Sequence, residues 1–178
     1  MVFAAALCLG GCSQQVGPND ETSGGGDSDV LLDHAAWEPV EASLDPFERH
    51  RPPQVTCDGY WEENGQLEVA TSTCNYAGLT QGLLVPLQPG DRVQTTMLHD
   101  ALLPPEGVDR SEAHAALIVG ETVVWEAAIE IPSEPGYVNI DAKVEQAWPA
   151  GTEAFIHLHN HGFNQYRWLA IERFRPED

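Results

Sequence analysis

The chain reads as an all-β protein: a single antiparallel β-sandwich of jelly-roll type behind a disordered tether. Three observations predict it. From Gln54 onward, short apolar runs recur with turn residues roughly every ten positions, the rhythm of a sandwich or jelly roll. Several runs alternate strictly, most clearly Tyr137 to Glu145, where Val138, Ile140, Ala142 and Val144 take one face and Asn139, Asp141, Lys143 and Glu145 the other. No stretch carries a long helical period, and the residues from 54 to 178 suffice for one such core.

The order of elements starts with an address. Val2 to Gly11 is an apolar run of small residues, too short to span a bilayer. It ends in Leu9-Gly10-Gly11-Cys12, which resembles the lipobox of bacterial lipoproteins. The resemblance implies a signal peptide over residues 1–11, removed in maturation, and a membrane anchor of lipid on Cys12. Ser13 in place of Asp implies the outer membrane by the enterobacterial sorting rule, so the expected place is the cell envelope. Residues 12–29 contain Gly17-Pro18-Asn19-Asp20 and Gly24-Gly25-Gly26-Asp27 and no apolar period. Such a segment cannot bury enough surface to offset its ordering entropy and reads as an acidic, flexible tether.

Residues 30–53 read as transitional. Asp45-Pro46-Phe47-Glu48 has the chemistry of a helix start and predicts one short turn, ended by Arg49-His50-Arg51-Pro52-Pro53. The sandwich is expected over residues 54–178. Strands are predicted at Val55 to Asp58 and Leu67 to Thr73, joined around Asn64-Gly65. Pairing about that turn sets Cys57 opposite Ser72 and Val55 opposite Cys74, so the two cysteines are diagonal neighbours that a small irregularity would join. With Cys8 and Cys12 committed to the signal and the lipid, Cys57 and Cys74 are the remaining thiols, and an exported protein oxidises such a pair. A bridge closing this loop contributes roughly 3 kcal/mol. Gly82 to Leu87 and Asp91 to His99 follow, the latter with Val93, Thr95, Met97 and His99 on one face. Ala113 to Val119 and Thr122 to Ile131 flank a Gly120-Glu121 turn. Regular pairing there puts His114, Ala116 and Ile118 on the core face with Val123, Trp125, Ala127, Ile129 and Ile131. Glu153 to His161 and Gln165 to Phe174 complete the set.

Composition excludes some partners. Twenty-eight acidic against eight basic residues leave a net charge of -20, which argues against nucleic acid and against adsorption to anionic lipid. It is compatible with collecting cations.

The chemistry-bearing stretch is His157-Leu158-His159-Asn160-His161. On a strand, residues two apart point the same way, roughly 7 Å apart, so His157 and His159 can converge on one ion. His161 is too far along a regular strand to join them. A third ligand has to come from another strand, His114 or His99, and Met97 shares a face with His99. Met with imidazole favours copper; imidazoles with a carboxylate favour zinc. His157-Leu158-His159 with Met97 on a jelly roll resembles the copper site of the ascorbate-dependent type II monooxygenases. That resemblance implies copper binding more readily than hydroxylation, because those enzymes use a second copper domain for which this chain has no room.

The competing reading is a binding or structural module for a carbohydrate or an envelope protein. Its candidate contact residues are Tyr60, Trp61, Trp148, Tyr166 and Trp168, while Trp125 reads as core. No Ser or Cys nucleophile lies in a readable motif, so a binding module is favoured over an enzyme.

Overall fold

The computed structural model describes residues 28–160 and 162–176. Twelve strands are found among them: β1 (Ser28–Val30), β2 (Glu38–Pro39), β3 (Tyr60–Glu63), β4 (Gln66–Ala70), β5 (Tyr76–Gly82), β6 (Arg92–His99), β7 (Ser111–Val119), β8 (Thr122–Ile131), β9 (Gly136–Lys143), β10 (Glu153–His159), β11 (Gln165–Trp168) and β12 (Glu172–Phe174). They form two antiparallel sheets. Seven strands run β1-β12-β6-β11-β4-β3, with β9 on the free side of β6; five run β2-β5-β10-β7-β8. The chain is an antiparallel β-sandwich, as its strand rhythm predicts.

The main core lies between the sheets. Val93 and Met97 of β6, Leu67 and Val69 of β4, and Tyr166 and Trp168 of β11 face Leu79 of β5, Ile156 and Leu158 of β10, and Ala115 and Leu117 of β7. Full burial of Tyr166 and Trp168 gives this core its bulk. The segment read as transitional belongs to the sandwich. Leu31, Leu32 and Trp37 enter the core and β2 pairs with β5. Ser28 and Asp29, read as the end of the tether, instead start β1, which pairs with β12.

Three strand assignments change. The stretch from Gly82 to Leu87 is where the chain leaves a strand: β5 ends at Gly82 and runs back to Tyr76. Both faces of β5 are covered, so it lacks the alternation that marks a half-exposed strand. Val55 to Asp58 contributes only the bridge at Cys57. The last predicted strand breaks at Leu169–Ile171 into β11 and β12.

Cys57 and Cys74 form a disulfide. The irregularity that joins them is a turn at residues 71–73: Tyr60 pairs with Val69 in the hairpin, yet Cys57 pairs with Cys74 beyond it. The backbone N–H of Cys74 and of Thr73 both donate to Ala70 O, which absorbs the extra residues.

A single irregularity decides where the functional side chains lie. Val119 pairs with Thr122 and Ile118 with Val123, but Leu117 pairs with Trp125. This β-bulge inserts Val124 and reverses the face of everything beyond it. Trp125, Ala127 and Ile129 therefore oppose Leu117, Ala115 and Ala113, whereas regular pairing would set them with Ala116 and His114. His114 is on the outer face of the five-stranded sheet, a correction to its expected place on the core face.

Candidate metal centre

The outer face of the five-stranded sheet carries the site. On β10, Ala154, Ile156 and Leu158 point into the main core, so Phe155, His157 and His159 point out. β10 is flanked by β5 and β7. At the level of His157 the row across the sheet is Gly78, His157, Ala116 and Glu126; at the next level it is Tyr76, His159, His114 and Ala128. Gly78 and Ala116 leave a shallow well on either side of the His157 ring.

The well is filled from above by a strap, residues 40–51. Val40 N–H donates to Gly78 O at 2.8 Å, and a Cβ on Gly78 would come 2.7 Å from Val40 Cγ1, so the strap crosses where the sheet has no side chain. Val40 and Phe47 pack on Ala116, Ile118 and Phe155 in a second, small apolar cluster. Two 3-10 turns, Ala42–Leu44 and Glu48–His50, shape the strap. The predicted turn at Asp45-Pro46-Phe47-Glu48 is thus present, displaced to Glu48–His50.

Asp45 latches it. Its Oδ1 accepts the Phe47 N–H at 2.9 Å, and its Oδ2 accepts from Arg51 Nη1 at 2.8 Å and from the Tyr76 hydroxyl at 2.5 Å. Burial and the bond to Asp45 push the Tyr76 phenol well above its usual range, so it stays a donor.

The latch brings His50 over the sheet. One ring nitrogen from each of His50, His114 and His157 lies within 4.8 Å of the other two. His50 Nδ1 and His157 Nε2 are 3.2 Å apart. Two nitrogens each about 2.0 Å from a tetrahedral ion stand about 3.3 Å from one another, so this pair already has the spacing of two ligands. Phe47 stacks on His157 with ring centres 4.3 Å apart and meets His114 edge-on at 5.1 Å.

The electrostatics favour neutral rings. Burial, followed by the neighbouring His114, His50 and His159, pushes His157 down to about 2. Burial, then His114 and Arg49, lowers His50 as well. The Nδ1 atoms of His157 and His114 are buried with no hydrogen-bond partner. His157 and His50, both shifted toward the neutral form, keep a lone pair for a metal, and the Nε2 of His157 is the nitrogen that faces His50.

The expected ligands divide. His157 and His114 are brought together. His159, opposite His114, stands at the edge of the cluster, its ring 5.6 Å from that of His50 and 6.2 Å from that of Tyr76. His99 and Met97 are not part of the site. Both belong to β6 of the other sheet; Met97 packs in the main core, and His99 Nδ1 lies 2.8 Å from Asp100 O, so the five-stranded sheet separates them from His157. The His-x-His-plus-Met arrangement of the monooxygenases is therefore not assembled. His161 and Cys12 lie outside the described residues.

His50 was not among the sequence candidates. It sits 107 positions from His157, at the end of an irregular turn, and no periodicity marks it. The clue in the sequence is Asp45-Pro46, which starts the turn that carries it.

The aromatic candidates are mostly packing residues. Tyr166 and Trp168 are fully buried and Trp148 nearly so, which rules out stacking on a ligand; Tyr60 is half-buried, and Trp61 alone is exposed. On the seven-stranded sheet, a groove of about 520 Å³ is lined by polar side chains including Gln94, Thr96, Asn139, Asp141 and Glu172.

No protein-family profile matches the chain, and no characterised protein matches it in sequence. Solved structures that resemble it are β-sandwich modules. The K3 cleaved adhesin domain of Lys-gingipain from Porphyromonas gingivalis is 14% identical with a TM-score of 0.44, covering 84% of this chain and 100% of that one. A CBM4 structure is 14% identical with a TM-score of 0.40, covering 66% and 87%. TmCBM61, solved with β-1,4-galactotriose, is 8% identical with a TM-score of 0.38, covering 62% and 70%. The likeness extends to the general sandwich shape alone.

Proposed function

We propose that this chain is a zinc-binding β-sandwich module of the bacterial cell envelope, held to the outer membrane by lipid on Cys12. The observation that carries the metal reading is that ring nitrogens of His50, His114 and His157, from a strap and two strands, come within 4.8 Å of one another. Three imidazoles supply the ligand number of an open zinc site. Zinc is preferred over copper because the soft donor Met97 is in the opposite sheet, while the carboxylate of Glu126 lies beside His114. The acidic surface, at a net charge of -20, draws cations to the module.

Titration calorimetry on chelator-stripped protein tests the metal reading. Zinc is expected to bind at one equivalent. His157→Ala and His50→Ala should each weaken it by more than the roughly 10–100-fold that changes outside the ligand shell cost. An unchanged affinity in both variants would remove the site. The anchor is tested separately. Cys12→Ser should move the protein from the membrane to the soluble fraction; a variant that stays membrane-bound, with a wild type carrying no lipid mass, would refute the lipid reading.

A second reading, a carbohydrate ligand, rests on the groove of the seven-stranded sheet. Thr96 donates to Asn139 and Gln94 to Asp141, so its hydrogen-bonding side chains are held in place before any ligand arrives.

A further inference from the structure

The zinc reading leaves open which nitrogen of His114 faces the ion and what holds that ring. We infer that Glu126 is the positioning residue of the centre: its carboxylate accepts a hydrogen bond from the Nε2–H of His114 and thereby presents Nδ1 to the metal. The inference rests on the zinc reading and deepens it.

Three observations carry it. Glu126 Oε2 is 3.4 Å from His114 Nε2 and brings a carboxylate to that ring. His114 Nδ1, the other nitrogen, is buried and has no hydrogen-bond partner. The bulge at Leu117/Ile118 sets both groups on one face, because it pairs Ala116 with Glu126 and His114 with Ala128, leaving Glu126 diagonal to His114 across the strands.

The chemistry follows from the imidazole. A neutral ring has one N–H and one lone pair, and the partner of the first decides where the second points. A carboxylate at Nε2 fixes the proton there, leaves the lone pair on Nδ1, and makes that lone pair more basic. An Nε2 ligand would instead turn the ring's metal-binding edge toward Glu126 and leave the carboxylate without its role as acceptor. Glu126 is well exposed, with 58% of its side chain open to solvent, so it can move the few tenths of an ångström that turn a 3.4 Å approach into a hydrogen bond. Its negative charge also offsets that of the ion.

The test uses the full-length protein in detergent solution, with zinc as the probe. Nitrogen-15 spectra of the zinc-loaded protein should show His114 ligated through Nδ1 with its proton on Nε2. Glu126→Ala should weaken zinc by 10–100-fold, the range for lost outer partners of a ligating histidine. Glu126→Gln, which keeps an acceptor and loses the charge, should fall between Glu126→Ala and wild type. Glu130→Gln, an exposed carboxylate paired with Glu112 on the same face, should stay within twofold. Zinc ligation through Nε2, or a Glu126→Ala affinity equal to wild type while zinc still shifts His50, His114 and His157, would overturn this inference alone. If zinc shifts none of the three, the metal reading itself falls and this inference with it.

Discussion

Replacing Asp45 with Ala is expected to destabilise the protein by about 3 kcal/mol, the lower end of what breaking a buried charge pair costs. The lower end applies because Arg51 retains 19% side-chain exposure and can regain some water, whereas the Asp45 side chain is 2% exposed. The substitution removes three bonds at once: the acceptor for Phe47 N–H, the partner of Arg51, and the partner of the buried Tyr76 hydroxyl. For a domain of this size such a loss lowers the melting temperature by roughly 6–12 °C. Asp45→Asn keeps the oxygen that accepts from Phe47 N–H and sets an NH2 that can donate to the Tyr76 hydroxyl oxygen, so it should lose less. Because the latch holds His50 above the sheet, Asp45→Ala should weaken zinc as well. Thermal unfolding within 1 °C of wild type would show that the strap is held by its apolar contacts alone.

The second large effect is on acid stability. With metal removed by a chelator, lowering the pH from 7 to 5 should cost about 2 kcal/mol through His157 alone. The sign follows from proton binding. The ring titrates near its ordinary value in the unfolded chain, but burial and its histidine neighbours hold it to about 2 in the folded protein. Between those values the unfolded chain binds the extra proton. The stabilisation is therefore complete above about 6.5 and is lost as the pH falls through the window toward 2. The charged and titratable groups about the ring are His50 and Asp45 from the strap, His114 with Glu126 behind it, and His159 and Tyr76 from the sheet. Burial, then His114, His50 and His159, all act against a protonated ring. His50 is lowered too and adds to the slope. Urea midpoints at pH 7 and 5, for wild type and His157→Leu, measure it. A variant with the same pH slope as wild type would show that His157 is not the group responsible.

What was legible in the sequence depended on which faces of a strand are covered. β6 and β9 have one more buried face, and their alternation was readable: Val93, Thr95, Met97 and His99 share a face as their spacing predicts, and that face is buried. β5 is covered on both faces and holds Gly78 where the strap crosses, so it lacks both alternation and strong strand residues. In the β7–β8 hairpin the turn was readable but the bulge was not. One inserted residue, Val124, moved His114 from its expected place in the core to the outer face. The His157–His159 pair was visible because a period of two is local. His50 was not, because it reaches the site only through the latch between Asp45, Arg51 and Tyr76, which is formed by tertiary contacts.

The strap also changes how the chain is connected. His50 and His157 are 107 positions apart and stand at hydrogen-bond distance. An ion shared between them is a reversible cross-link that closes a loop about six times the span of the Cys57–Cys74 bridge, whose ends are 17 positions apart. Long closures remove the most freedom from the unfolded chain, for metal clips as for disulfides. The disulfide fastens one hairpin permanently; on the zinc reading, the ion would fasten the strap to the sheet only while metal is in supply. Metal concentration in the surroundings would then set how often the covered face of the sheet, with its small apolar cluster, is opened to solvent.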